Sequence, residues 1–278
     1  MNLPWENPVA RHGIRISTRA GWPLRLLTTL ALLAVALAVG LALQIFWQEM
    51  EVYTALRPEM ATRVFGMALL AESLLALPWA AARGALLWRR LDRDGSLEEY
   101  RRSRLSGSAI VCGAWVATLA PVAWLLLGSL GLGAAGVAWG GLAPAGVLWA
   151  HALLAAQCLA FGALGIALAG RLRLPALALP AAVGVLVACV GAIAVMDPFL
   201  SRLGNPTPWI YAALLPNPVT AVGNALETDV LRFSWIYARL HSHEYFFIYP
   251  PAWQTCVFYC VGAVALAGAA IRRVNRTG

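Results

Sequence analysis

The sequence predicts an all-α, polytopic membrane protein forming a single transmembrane domain over residues 1–278, with six transmembrane helices. Three observations carry this. Hydrophobic residues make up 60% of the chain and charged residues 12%, with a mean hydropathy of +0.70, whereas a soluble domain carries about a quarter charged residues. The apolar residues fall in blocks of about 20, the length that crosses a bilayer core. The arginines gather in alternate intervening loops, as the positive-inside rule requires.

Residues 1–21 form the first element, an N-terminal amphipathic helix at the membrane interface. Asn7 can cap it and Pro8 suits its first position. Arg11, Arg15 and Arg19 recur every four residues and share one face, while Val9, Gly13, Ile16 and Ala20 fall on another. A basic amphipathic helix directly before a span is expected to lie in the interface.

Residues 22–88 hold the first two spans, over about 26–47 and 64–87. The first is longer than a signal-peptide core of roughly 7–15 residues, so no cleavage is expected. The second contains Glu72 and Pro78. A hydrophilic loop follows over 89–108, rich in arginine and acids. Residues 109–197 hold spans three to five. From 109 to 170 there is no Asp, Glu, Lys or Arg, enough chain for two spans joined by a turn near Gly140, Gly141 and Pro144, and the fifth covers about 175–196. Residues 198–252 form an outer loop in which LLPNPVTAVGNALE is apolar but too short to cross, so a partly inserted helix is expected there. The sixth span covers about 253–271 within a final segment, 253–278, that ends in a cytoplasmic tail.

Arginine placement orients this plan. On one side stand Arg11, Arg15, Arg19 and Arg25, the seven from Arg83 to Arg104, then Arg171, Arg173, Arg272, Arg273 and Arg276. The other side has only Arg57, Arg63, Arg202, Arg232 and Arg239. Both termini and the 89–108 loop are therefore expected in the cytoplasm. The net charge of +8 follows from this topology rather than from nucleic-acid binding, and no nucleic-acid partner is expected.

Every basic residue except histidine is arginine; the chain has no lysine. A P-loop needs a lysine on the β/γ-phosphates and Schiff-base catalysis needs a lysine amine, so neither chemistry belongs to this chain alone. Cys112, Cys158, Cys189, Cys256 and Cys260 lie in or beside apolar runs without zinc-ligand spacing on a loop and read as packing residues. Gly131-Leu-Gly-Ala-Ala-Gly136 fits the dinucleotide fingerprint, but no strand precedes it and no acid follows about twenty residues on. Its glycines read as helix packing or a turn. His241-Ser-His243-Glu244 is a partial ligand set with no further ligand in view, so no metal site is expected. Glu72 is the acid inside a span core, where a carboxylate is costly and faces a cavity or a partner. It either lines a translocation pathway or makes a structural hydrogen bond as a protonated acid. His151 and Gln157 read as packed, hydrogen-bonded groups. No Ser/His/Asp or His/Glu constellation suggests a membrane hydrolase.

The hydrophilic loop resembles that of ABC-2-type ABC transporter permeases. In that family an arginine- and acid-rich segment leads into a motif like G-T-L-E, a small-residue/proline/leucine element, then an isoleucine and a glycine opening the next span. Gly95-Ser96-Leu97-Glu98 matches the first motif, Ser103-Arg104-Leu105-Ser106-Gly107 the second, and Ile110 with Gly113 the third. Pro78, the N-terminal Asn7-Pro8-Val9, the six-span plan and the outer Pro216-Asn217-Pro218 extend the resemblance over nearly the whole chain. The chain departs from the pattern at Arg104, where proline is usual, at Ala114, where lysine is common, and in the polar Tyr100-Arg101-Arg102.

The resemblance implies a coupling helix over roughly residues 95–104 that docks into a separate nucleotide-binding subunit, through Gly95, Ser96, Leu97, Glu98, Glu99, Arg101, Arg102 and Arg104. Acids near its start and arginines near its end suit the helix dipole. It further implies a permease, an exporter rather than an enzyme, binding no cofactor itself, with ATP and Mg on the partner. The partners would be ABC ATPase subunits, a second permease subunit and membrane lipids, in a bacterial or archaeal cytoplasmic membrane. Two other readings remain from the residues: an ion-coupled secondary transporter in which Glu72 titrates, and a membrane anchor for a soluble complex.

Overall fold

The computed structural model describes residues 6–19, 58–138, 142–172, 177–200, 202, 207–227 and 249–276. The expected first span, Arg25, Arg57 and the His241–Glu244 group lie outside them, and for Arg19 and Arg63 only the helical backbone is described. Among the described residues the secondary structure is helical, with no strand. The helices are α1 (Pro8–Arg19), α2 (Pro58–Arg93), α3 (Ser96–Arg102), α4 (Gly107–Ala138), α5 (Pro144–Arg171), α6 (Ala178–Leu200), α7 (Thr207–Leu214), α8 (Pro218–Ala225) and α9 (Ala252–Arg276). Five are long and apolar enough to cross a membrane: α2 over Ala68–Arg93, α4, α5, α6 over Ala178–Met196, and α9.

Helix α5 is the centre of the bundle, packed against α2, α4, α6, α8 and α9. Small residues set its approach to α2. The missing side chain of Gly165 leaves room for the carbonyl oxygen of Ala81, and that of Gly84 for the carbonyl of Gly162. Backbones come this close only where glycine or alanine faces the neighbour, and the gain is dispersion contact in a setting where lipid gives no hydrophobic drive. The Trp115 indole N–H donates to Leu159 O at 3.0 Å and ties α4 to α5.

Three apolar clusters succeed one another along the bundle. At the arginine-rich end, Leu91, Leu97, Ile110, Val111, Ala270 and Val274 pack together with Val9 of α1. The middle holds Leu77, Trp79, Leu154, Phe161, Leu186 and Tyr259. At the far end Leu69, Leu70, Val147, Ile193, Ile210, Leu214, Val219 and Val222 close the core.

A short helix, α8, lies within the apolar segment 214–227 where a helix was expected, and a second, α7, precedes it and ends at Leu214. Pro216 follows the end of α7, and proline cannot extend a helix because it lacks an N–H and its ring clashes with the preceding turn. Asn217, held extended before Pro218 (φ −83°, ψ 110°), then restarts the chain as an N-cap. Its Oδ1 accepts from Val219 N at 3.0 Å and Thr220 N at 3.2 Å.

Candidate functional site

The arginine-rich end is built on a sharp stop. Helix α2 runs past the expected residue 87 to Arg93, and Gly95 then turns the chain in a left-handed conformation (φ 75°) that glycine adopts without strain. Helix α3 starts at Ser96. Its Leu97 is buried in the same apolar cluster as Leu91 of α2, Ile110 of α4 and Val274 of α9, and α3 packs against α2 and α4. Glu98, Glu99 and Arg102 are exposed, and Arg101 is half-buried. Glu98 sits opposite Arg101 at 3.5 Å and Arg102 at 3.6 Å. Such one-turn pairs orient side chains while adding only tenths of a kcal/mol, about 0.2–0.5 each. Acids lead and arginines end the helix, as its dipole favours.

The structure therefore joins Ser96, Leu97, Glu98, Glu99, Arg101 and Arg102 on one short helix and leaves Gly95 and Arg104 as its flanks. Arg104 adopts φ 61°, a conformation closed to the proline usual at that place in the family the loop resembles. Burial, and then the charge of Glu99, raise the Tyr100 hydroxyl above its ordinary pKa. It stays protonated at neutral pH and leaves the loop's charge to Glu and Arg.

Helix α1 braces this loop. Asn7 Oδ1 accepts from Val9 N at 2.9 Å, and Asn7 Nδ2 donates to Ala109 O at 2.7 Å at the start of α4. Gly13 packs against Ala117, and Gly113 against Asn7 and Val9, so two glycines let α1 lie directly on α4. His12 meets Tyr100 edge-on, with ring centroids 6.3 Å apart. Arg11 and Arg15 are exposed, opposite buried Val9 and Gly13. The apolar face of α1 is thus covered largely by protein.

Toward the other end lies a layer of buried polar groups. Glu72 on α2 is 1% exposed, and neither carboxylate oxygen has a hydrogen-bond partner. Ser129 of α4 adjoins it, but the Ser129 hydroxyl lies 3.0 Å from Leu126 O and 3.1 Å from His151 Nε2. His151 Nδ1 is 2.8 Å from Val147 O. A carbonyl only accepts, so Nδ1 carries the proton. His151 is thus a hydrogen-bonded group as expected. Gln157 donates to Pro218 O at 3.4 Å, while its Oε1 has no partner.

The Pro216-Asn217-Pro218 turn gathers three spans. Tyr259 of α9 donates to Pro216 O, Gln157 of α5 to Pro218 O, and Asn217 Nδ2 to Val190 O of α6 at 3.3 Å. Tyr211 of α7 also donates to Gln254 of α9, and Asn224 Nδ2 to Pro250 O at 3.1 Å.

Arg83, within the expected second span, is buried in α2 at 6% exposure. Its Nε has no hydrogen-bond partner and its guanidinium stands 5.5 Å from the Trp79 ring. Burying an arginine away from water is costly unless its donors are paired. The available signal was a lone arginine inside an apolar run. The glycines of Gly131–Gly136 lie inside α4, the helix-packing alternative of the two expected, and Gly133 admits the Val147 side chain.

Among the described residues no group of three or more His, Cys, Asp or Glu is placed to hold a metal ion. No protein-family model matches the chain, and no curated protein sequence matches it.

Proposed function

We propose that this chain is the membrane-spanning subunit of an ATP-driven ABC-2-type transporter, acting as an exporter. The carrying observation is α3. It is a seven-residue helix packed against the ends of the long helices α2 and α4, with Leu97 buried in their shared apolar cluster and its charged side turned outward. A displacement of that charged side would be carried through Leu97 to α2 and α4.

In this reading α3 is the coupling helix, and α1 is an interfacial helix bracing it. Helices α7 and α8 form a pair inserted into the outer side of the membrane. The six-span topology includes a first span over residues 26–47. Both termini and the arginine-rich loop face the cytoplasm of a bacterial or archaeal cell. Two permease subunits pair around a path, and each engages an ATPase that holds ATP and Mg. This chain is not itself an enzyme. Closing of the ATPases pulls α3 and switches the bundle between two rigid-body packings. Drive requires the cargo to bind one packing better than the other.

A second reading has its own observation. Glu72, buried and without a hydrogen-bond partner, suits a group that lines the path or takes up an ion. Energisation separates the two readings: vesicles should transport on ATP, with no dependence on a proton gradient, if α3 is the lever.

The test is mild-detergent purification of the tagged chain from its native cell, beside a Glu98→Ala/Arg101→Ala/Arg102→Ala variant. The proposal expects a P-loop ATPase with the wild type and its loss with the variant. A folded preparation without an ATPase in either case rejects the coupling-helix reading.

A further inference from the structure

Resting on the second reading of Glu72, as a group that takes up an ion, we infer that the ion is a proton, bound by a layer of Glu72, Ser129 and His151 where α2, α4 and α5 meet. Donors in this layer fall short of acceptors. His151 Nδ1 spends its proton on Val147 O, 2.8 Å away, so Nε2 of the neutral ring is an acceptor. Ser129 Oγ lies 3.1 Å from that Nε2 and 3.0 Å from Leu126 O, a second acceptor. One hydroxyl proton cannot serve both. The two carboxyl oxygens of Glu72, beside Ser129, find no donor either.

One added proton relieves the shortage in either of two places. On His151 Nε2 it makes an imidazolium that donates to Ser129 Oγ, frees the hydroxyl proton for Leu126 O and balances the Glu72 carboxylate. On Glu72 it makes a neutral acid able to donate to a lone pair of Ser129 Oγ. The two forms interconvert without gain or loss. The acid O–H breaks as Ser129 takes its proton, and the Ser129 O–H breaks as Nε2–H forms.

The surroundings offer no other balance. Glu72, Ser129 and His151 are 1%, 5% and 7% exposed, and a buried charge is costly unless paired. Cys158 of α5 also adjoins Glu72, but a thiol is a weak donor without positive charge. Helix α8 carries no titratable side chain, and Arg83 stands roughly 16 Å further along α2 by helix rise. A metal ion wants four or more ligands, and among the described residues no group of three His, Cys, Asp or Glu is placed to supply them. A proton needs one donor and one acceptor. Since each helix contributes one member, filling or emptying the layer alters how the three fit together.

The test is an infrared and histidine-ring nitrogen NMR titration of the purified full chain in detergent, over the pH range in which it stays folded. The wild type should show a carboxylic-acid band that Glu72→Gln removes, and Glu72→Gln should also move the His151 midpoint by at least about one pH unit, as for groups that share a proton. Ser129→Ala should change the titration of both groups, and Ser129→Thr, which keeps the hydroxyl, should restore it. Where Ser129→Ala fails to fold, Glu72→Gln alone decides. Absence of a Glu72 acid band at every such pH overturns both the inference and the reading it rests on. A Glu72 band with a His151 midpoint indifferent to Glu72→Gln, or signals unchanged by a folded Ser129→Ala, leaves that reading standing and overturns the shared layer.

Discussion

The Tyr259 hydroxyl donates to the Pro216 carbonyl at 2.5 Å, fastening the last span to the turn between two short helices. Gln157 and Asn217 complete the fastening, so the turn is held by α5, α6 and α9 together. A buried carbonyl that loses its donor bears a desolvation cost, yet single interhelical hydrogen bonds in membranes average about 0.6 kcal/mol. Tyr259→Phe should therefore lower stability by about 0.5–1.5 kcal/mol in detergent, read as a drop in unfolding midpoint. Asn217→Ala should cost more, about 1–2 kcal/mol, because it also removes the cap of α8.

Glycine substitutions should divide sharply by place. Gly165→Ala puts a methyl group onto the Ala81 carbonyl, forcing α2 and α5 apart at about 1–3 kcal/mol. Gly268→Ala on α9 meets nothing within 4 Å and should be neutral or stabilising by up to about 1 kcal/mol, the helix-propensity gain. Thermal unfolding of the two variants side by side checks this. Equal effects would contradict the described α2–α5 approach.

Glu72→Leu separates stability from activity. Replacing an unpaired buried carboxyl by an apolar group of similar size removes a desolvation cost, so stability should rise by about 1–3 kcal/mol. Transport should fall if Glu72 lines the path. A variant that loses stability would show that the carboxyl has a partner in the folded protein.

Arg104 occupies a left-handed conformation that costs a residue with a Cβ about 1–2 kcal/mol. Arg104→Gly should stabilise the loop or leave it unchanged. Arg104→Pro cannot adopt that backbone and should unseat α3, making the loop the first site of limited proteolysis. Resistance of the proline variant would contradict the conformation.

The long charge-free runs made α4, α5, α6 and α9 legible, because length and apolarity alone decide which segments cross a bilayer. The cap at Asn7 and the proline at Pro8 likewise marked α1. Boundaries were less legible. Helix α2 continues to Arg93 since arginine is a good helix former and nothing breaks the helix before Gly95. Helix α8 was legible in the apolar run 214–227, whereas α7, which ends at the first residue of that run, was not expected. The seat of Leu97 and the bonds of Tyr259, Gln157 and Asn217 join residues 27 to 61 positions apart or different helices. Composition and periodicity carry no record of such partners. Arg83 fell within the expected second span, but its burial and its place over the Trp79 ring were not legible in charge grouping.

The most direct test of the account is a photo-crosslinking residue placed at exposed Glu99 or Arg102 in the native membrane. An ultraviolet-dependent adduct with a P-loop ATPase is expected from either position, and none from Trp124, which is exposed midway along α4. Adducts with a soluble protein lacking a P-loop, or the absence of any protein adduct from both loop positions, would contradict α3 as the ATPase docking helix.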